Sequence, residues 1–349
     1  MPMPDDAGGP RGGDPRPGPA DSLVDVPGVR VGQVQRRGGG WRTGVTAVLF
    51  PPDGAVAGVQ VSGGAPCTHE TDLLDPRNLV ERVHAISLSG GSVFGLAATG
   101  GITDWLADHR HGLPAGPDPA EVIPLVPGAS IYDLGRGGRF RAVPGAEMGA
   151  GACAAATGGP FAQGSAGAGT GAVAGGLAGG VGTASQVTAA GFTVAALAVV
   201  NASGSPVDPR TGELYGARYG LPGEFAGLRR PGRPEPVLVT TGYRKVPRST
   251  TLAVLATDAR LDRGRCGRLA VAAHDGMART VRPIHTLLDG DAAFAVSLGE
   301  REPDFAAFHE LLGAAADVFV RAALRGILHA EGWPGVPSYR EAYPSAFPA

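Results

Sequence analysis

Apolar residues along this chain gather into short runs that alternate with longer stretches at helical spacing, which predicts strands and helices in alternation. Residues 45–50 and 56–61 read as two short strands, and the turn Pro51-Pro-Asp-Gly54 between them predicts a hairpin. Residues 83–88 read as a buried strand. Ser89-Gly-Gly-Ser92 then opens a helix that runs through Trp105-Leu106, with backbone N–H groups exposed at its start. Residues 192–200 predict another strand, ending at Asn201-Ala-Ser-Gly204, and 236–240 one more. Residues 215–234, dense in Gly, Arg and Pro, read as a loop or linker ahead of the apolar run Leu252-Ala-Val-Leu-Ala256. Leu269, Ala272, Ala273 and Met277 share one face of a helix over 268–282, and a strand follows at 292–296. Over 304–328, Phe305, Phe308, Leu311, Leu312, Ala315, Val318 and Phe319 form the apolar face of a long helix. No run is long enough to span a bilayer, and no repeat has a solenoid period.

Composition bounds the function. With 349 residues, 43% hydrophobic and 18% charged, the chain can bury the core of one large α/β domain or two fused ones. A net charge of -2 and a pI near 6.4 leave no basic footprint, so neither nucleic acid nor a membrane surface is expected as partner. Small uncharged or zwitterionic substrates fit better. Cys67, Cys153 and Cys266 are odd in number and lack CxxC spacing, which argues against disulfides or a cysteine-ligated metal and for the cytoplasm. Residues 1–20 are rich in Pro, Gly, Asp and Arg without an apolar segment, so they read as a disordered tail rather than a secretory signal. The Gly/Ala stretch 164–182 lacks both the acidic residue of a dinucleotide fingerprint and the lysine of a P-loop, and reads as close backbone packing in a sheet-rich core.

The hydroxyl triplet Ser249-Thr250-Thr251 stands before the run 252–256, where self-cleavage would release a nucleophile as a new chain terminus. Asp289-Gly290-Asp291 is either a solvated turn or an acid pair whose like charges create a proton-accepting site, with His285 as its structural support. Asn201 at a strand end is either a turn cap or a carboxamide donor to a developing oxyanion. Tyr132 is either core or a phenol donor near a reacting carbonyl. The eight histidines never fall into HExxH spacing, and His109 and His111 have no third ligand nearby, so neither metal nor cofactor is expected.

Six segments occur in an order that resembles one family. They are Asp25-Val-Pro-Gly-Val-Arg-Val-Gly32; Gly63-Gly-Ala-Pro66 with Glu70-Thr-Asp-Leu-Leu-Asp-Pro76; Leu88-Ser-Gly-Gly-Ser-Val-Phe-Gly-Leu96; Gly167-Ala-Gly-Thr-Gly171; Thr250-Thr-Leu-Ala-Val-Leu-Ala-Thr-Asp258; and His285-Thr-Leu-Leu-Asp-Gly-Asp291. Together they resemble the L-aminopeptidase/D-Ala-esterase/amidase family, nearest its nylon-oligomer hydrolase branch, over about residues 25–325. The resemblance implies a four-layer αββα sandwich with an N-terminal-nucleophile site. A tail at 1–22 would precede a single domain, 23–349, that cleaves itself between Ser249 and Thr250 into 23–249 and 250–349.

By the same resemblance Thr250 is the nucleophile, Asn201 the oxyanion donor, Tyr132 the active-site tyrosine, and Asp289 and Asp291 the pair that orients Thr250. The freed α-amine, with an ordinary pKa of about 7.7 to 8.0, would serve as base. The implied substrates are small peptides or nylon-type amide oligomers, and the implied assembly is a homotetramer of cleaved pairs. Two positions depart from the pattern of many relatives: Ser249 stands where they have Asn, and Gly176 where they have a lysine. That lysine's absence keeps open an uncleaved binding or assembly protein on the same fold. An ornithine-acetyltransferase-like acyltransferase is a further alternative. The substrate pocket is expected to depend on loops such as 206–222.

Overall fold

A computed structural model describes residues 15–232 and 249–348 of the chain. The expected strand at 236–240, the last residues of the linker 215–234 and most of the expected tail lie outside the described residues.

Two mixed sheets form the centre. The first has the order β1 (Arg30–Gly38), β2 (Trp41–Leu49), β6 (Ala85–Ser89), β9 (Gly128–Ser130) and β4 (Thr68–His69). The second has the order β12 (Val181–Val187), β13 (Thr193–Val199), β14 (Leu252–Ala259), β15 (Ala292–Arg301), β3 (Ala55–Val61) and β5 (Arg82–Val83). Two short hairpins, β7 (Leu113–Pro114) with β8 (Val122–Ile123) and β10 (Val173–Ala174) with β11 (Leu177–Ala178), stand apart. The helices among the described residues are α1 (Ala97–Asp108), α2 (Ala146–Ala154), α3 (Arg263–Thr280), α4 (Phe305–Leu328) and the short α5 (Tyr339–Ala342). None is long and apolar enough to cross a membrane among the described residues.

The strand sequences explain the layering. Along β14, Leu252, Val254 and Ala256 face the other sheet, while Ala253 and Leu255 face α3 and α4; Ala292, Phe294 and Val296 alternate with Ala293 and Ala295 in the same way on β15. Strands buried on both faces read as continuous apolar runs. On the first sheet Val45, Ala47 and Leu49 of β2 pack under Ala98, Ile102 and Leu106 of α1 and Met148 and Ala152 of α2, while Val48 turns inward. The result is helix, sheet, sheet, helix, the αββα sandwich that the resemblance implied.

Several local expectations change. The turn at Pro51 forms, with the Gly54 N–H on the Pro51 carbonyl at 2.8 Å, but its flanking strands do not pair. β2 lies between β1 and β6, and β3 between β15 and β5, so the turn crosses from one sheet to the other rather than closing a hairpin. A 3-10 turn over Ser92–Phe94 precedes α1, which starts only at Ala97. α3 begins before its apolar pattern does, where Asp262 caps the helix by accepting from the Arg265 N–H. Phe305 sits in the first turn of α4 and is 88% exposed instead of joining the core face. Close packing accounts for the glycine stretch: a Cβ on Gly182 would lie 1.9 Å from the Ala322 carbonyl of α4.

Residues 15–22 correct the expectation of a disordered tail through 22. Arg16 bridges to Val187, and the Gly18 N–H donates to the Ser185 hydroxyl. Asp21 accepts from Arg321, a fully buried side chain that also reaches Glu224 and the Ser185 carbonyl, and from Arg325. Removing Arg321 leaves the partly buried Asp21 and Glu224 to share Arg325, strips the Ser185 carbonyl of a donor and empties a fully buried site. Arg321→Ala is therefore expected to lower the unfolding free energy by about 3–5 kcal/mol. Arg77→Ala, at an exposed pair with Asp75, is expected to change it by less than about 1 kcal/mol. Urea titrations of both variants would check the contrast.

Candidate active site

Strand pairing assembles the site. β14 and β15 run parallel with Leu252 opposite Ala292, so the segments that lead into them lie abreast and Ser249 bridges to Asp289. β13 flanks β14 in the antiparallel sense with Val199 opposite Leu252, which brings Asn201 to Thr250. The Thr250 N–H donates to the Asn201 carbonyl at 2.7 Å. Three segments remote in sequence thus meet at one end of the second sheet.

The Thr250 hydroxyl donates to the Ser249 carbonyl at 2.6 Å, and that carbonyl also accepts the Gly290 N–H at 3.0 Å. Only glycine fits at 290. A Cβ there would lie 2.6 Å from the Ala65 carbonyl and 2.7 Å from the Thr250 hydroxyl. Thr251, by contrast, buries a hydroxyl without a partner among the described residues.

Asp289 and Asp291 are fully buried, which removes the solvated-turn reading. All four carboxylate oxygens are engaged. Asp289 accepts the Ser203 N–H on one oxygen and the N–H and hydroxyl of Thr286 on the other. Asp291 accepts the Thr251 N–H at 2.6 Å on one oxygen, and the N–H and ring Nδ1 of His285 on the other. The Asp291 bond reaches Thr250 through the next residue's main chain, while Asp289 holds Ser203, two residues beyond Asn201. His285 supports Asp291 as expected, and its own backbone is left-handed at φ +56°.

Asn201 is fully buried. Its side-chain oxygen accepts from the Val173 N–H and from Arg136, so the atom facing those donors is the oxygen. Its Nδ2 donates toward the Tyr132 carbonyl at 3.4 Å. Next to Tyr132 lies Asp133, whose carboxyl burial pushes up to about 6 against the opposing effects of Arg136 and the Gly91 N–H.

A pocket of about 180 Å³ reaches Thr250, lined by Tyr132, Ser249, Thr250, Ala65, Cys67, Ser92 and Leu288; Asn201, Asp289 and Asp291 are fully buried and are not part of its lining. Burial raises the pKa of the Cys67 thiol, partly offset by its hydrogen bond with the Ser92 hydroxyl. Residues 206–222 contribute nothing to this lining. They wall a separate cavity of about 420 Å³, with Phe225, Arg229 and Tyr339 on its other sides. The larger space holds no hydroxyl on a strand end beside buried carboxylates, and the smaller one does.

Sequence reasoning missed Arg136, Cys67, Ser92 and the Gly290 N–H. Arg136 follows Tyr132 within one short loop, and Ser92 follows two glycines at φ +52°, a signal of strain beside a binding site. Gly176 lies in the turn between β10 and β11 at φ +84°, a conformation that a lysine would adopt only with strain.

Comparison with known proteins agrees with this architecture. Peptidase family S58 matches residues 21–340. A protein named uncharacterized aminopeptidase from Mycobacterium tuberculosis (strain H37Rv) is 46% identical over 94% of this chain and 99% of its own length. The 6-aminohexanoate-oligomer endohydrolase of Paenarthrobacter ureafaciens is 32% identical over 79% of this chain and 74% of its own. Among solved structures, a Burkholderia sp. beta-aminopeptidase superposes with a TM-score of 0.68 at 25% identity, covering 96% of this chain and 97% of that one. The L-aminopeptidase D-Ala-esterase/amidase of Ochrobactrum anthropi, described as a variant of the Ntn hydrolase fold, superposes with a TM-score of 0.71 at 23% identity over 92% and 90%. With the αββα layers and the hydroxyl-lined pocket in place, the chain belongs to peptidase family S58, hydrolases of amide and peptide bonds.

Proposed function

We propose that the protein is an autoprocessed N-terminal-threonine amidohydrolase, with Thr250 as nucleophile, acting on small peptides or amide oligomers. The carrying observation is the Ser249 carbonyl, which meets the Thr250 hydroxyl at 2.6 Å and the Gly290 N–H at 3.0 Å. In maturation, the Thr250 oxygen attacks the Ser249 carbonyl carbon while the Gly290 N–H steadies the developing oxyanion. The Ser249–Thr250 C–N bond breaks, the nitrogen takes up the hydroxyl proton, and water hydrolyses the resulting ester.

The freed α-amine then accepts the proton of its own hydroxyl as Thr250 attacks a substrate amide. Asn201 Nδ2 donates to the substrate oxyanion, and Tyr132 donates from the pocket wall. The departing amine takes the proton, and water releases the acyl group from the ester. Asp291 holds the main chain just after the nucleophile, and Asp289 holds the segment that follows Asn201. The aminopeptidase-named relative matches this chain at 46% identity and the endohydrolase at 32%, which favours N-terminal residues of small peptides over nylon-type oligomers as substrate. The reading extends to a homotetramer of cleaved pairs in the cytoplasm, in keeping with three free cysteines.

Intact mass under denaturing conditions tests the proposal, alongside hydrolysis of alanine p-nitroanilide and of a 6-aminohexanoate oligomer. Two fragments that meet at Ser249/Thr250, with release of product, are expected. A single full-length chain without hydrolysis would overturn it in favour of a binding or assembly protein. Acetyl transfer to an amine without net hydrolysis would instead indicate an acyltransferase.

A further inference from the structure

We infer that His274, His285 and Asp291 form a chain holding one proton more than two neutral imidazoles carry, and that it is a positioning device for the nucleophile. Three contacts run in series. Asp291 Oδ2 lies 2.8 Å from His285 Nδ1, His285 Nε2 lies 3.2 Å from His274 Nδ1, and His274 Nε2 lies 3.0 Å from the Gln60 carbonyl on β3. The rings meet edge-on at 4.8 Å.

The hydrogen count follows from the two ends. The Gln60 carbonyl can only accept, so His274 Nε2 carries a hydrogen. Asp291 Oδ2 already accepts the His285 main-chain N–H and Asp291 Oδ1 the Thr251 N–H, so the carboxylate is also an acceptor and His285 Nδ1 carries a hydrogen. A pair of neutral imidazoles is now exhausted, yet the middle contact still joins two ring nitrogens. It needs a third hydrogen. Without it two lone pairs would face each other.

The charged groups facing the pair are Asp291, on the loop before β15, and Asp275, beside His274 on α3; β3 contributes the Gln60 carbonyl. Burial lowers His274, with the hydrogen bond to the Gln60 carbonyl opposing it and the neighbouring His285 adding to it, while the Asp291 carboxylate lies directly against His285. The third hydrogen therefore belongs to His285 Nε2, and His285 is the imidazolium, paired with the Asp291 carboxylate and donating to His274. The assembly is neutral overall, with the Asp291 carboxylate buried against a His285 side chain that is 23% exposed.

Its output is mechanical. Asp291 holds the Thr251 N–H at 2.6 Å, one residue beyond Thr250, and the two bonds to Asp291 Oδ2 hold His285 in its left-handed backbone. A side chain at 274 that cannot accept from His285 loosens the support behind Asp291, and turnover falls with it. This kinetic consequence rests on the reading of Thr250 as nucleophile; the hydrogen count does not.

Two measurements test the proposal. Nitrogen-15 NMR of the imidazoles in the protein as isolated, at pH 7, should show both nitrogens of His285 protonated and one of His274. One N–H per ring would overturn the proposal whether or not the enzyme is active. In kinetics, His274→Leu is expected to lower kcat about tenfold with KM within about twofold, by analogy with loss of the partner behind a metal-bound histidine. His274→Gln, whose amide can accept from His285 and donate to the Gln60 carbonyl, should restore kcat. A kcat that stays low in His274→Gln would assign His274 a purely structural role and overturn the proposal.

Discussion

Thr250→Ala is expected to yield one uncleaved chain and to lower hydrolysis by at least about 10⁴-fold, the scale on which removal of a nucleophile acts. Thr250 is 3% exposed, and its hydroxyl donates to the carbonyl of the bond that would break, so the substitution removes chemistry before it removes packing. Thr250→Ser keeps the oxygen and should still be cleaved. Thr251→Val is the matched control on the neighbouring residue. Its hydroxyl is buried without a partner, so replacing it with a methyl of similar shape should leave cleavage intact and stability unchanged or slightly higher. Fragment masses read all three variants. Cleavage that survives in Thr250→Ala and stops in Thr251→Val would move the nucleophile by one residue and displace Gly290 from its role at the scissile carbonyl.

What the sequence makes legible here is what short-range pattern encodes. Runs such as Leu252-Ala-Val-Leu-Ala256 announce strands buried on both faces, because both their odd and even residues are apolar. Which strands pair is not encoded locally. The turn at Pro51 formed as its residues dictate, yet it joins two sheets, since the partners of β2 and β3 are chosen by packing across the whole domain. Thr250, Asn201, Tyr132 and the Asp289/Asp291 pair could be named because family motifs mark them. Their convergence depends on the parallel register of β14 with β15, which a single segment cannot reveal.

The supporting residues were less visible for the same reason. Arg136 reaches Asn201 across 65 positions, and His274 reaches the Gln60 carbonyl across 214. An arginine in a glycine-rich loop and a histidine on a helix carry no local mark of either contact. Asp21 looked like part of a polar tail, and its two arginine partners lie about 300 residues further on.

Asn201→Asp is expected to lower kcat by about 10²–10³ with little change in KM, the effect of removing one donor aimed at an oxyanion. The structure separates the two halves of this carboxamide. Its oxygen is committed to the Val173 N–H and Arg136, and the aspartate keeps an oxygen for both; its nitrogen is the half that the substitution removes. The new carboxylate would pair with Arg136, so the fold should tolerate it better than Asn201→Ala, which leaves Arg136 and the Val173 N–H without their acceptor. Maturation should behave differently from turnover. The scissile Ser249 carbonyl takes its hydrogen bond from Gly290, and the bond from the Thr250 N–H to residue 201 uses the main-chain carbonyl, which no substitution at 201 removes. Asn201→Asp should therefore still appear as two fragments on a denaturing column while hydrolysing poorly. Full cleavage with kcat within about threefold of wild type would show that the Asn201 nitrogen does not face the substrate oxyanion, and would transfer that role to another donor at the pocket wall, with Tyr132 the first to test.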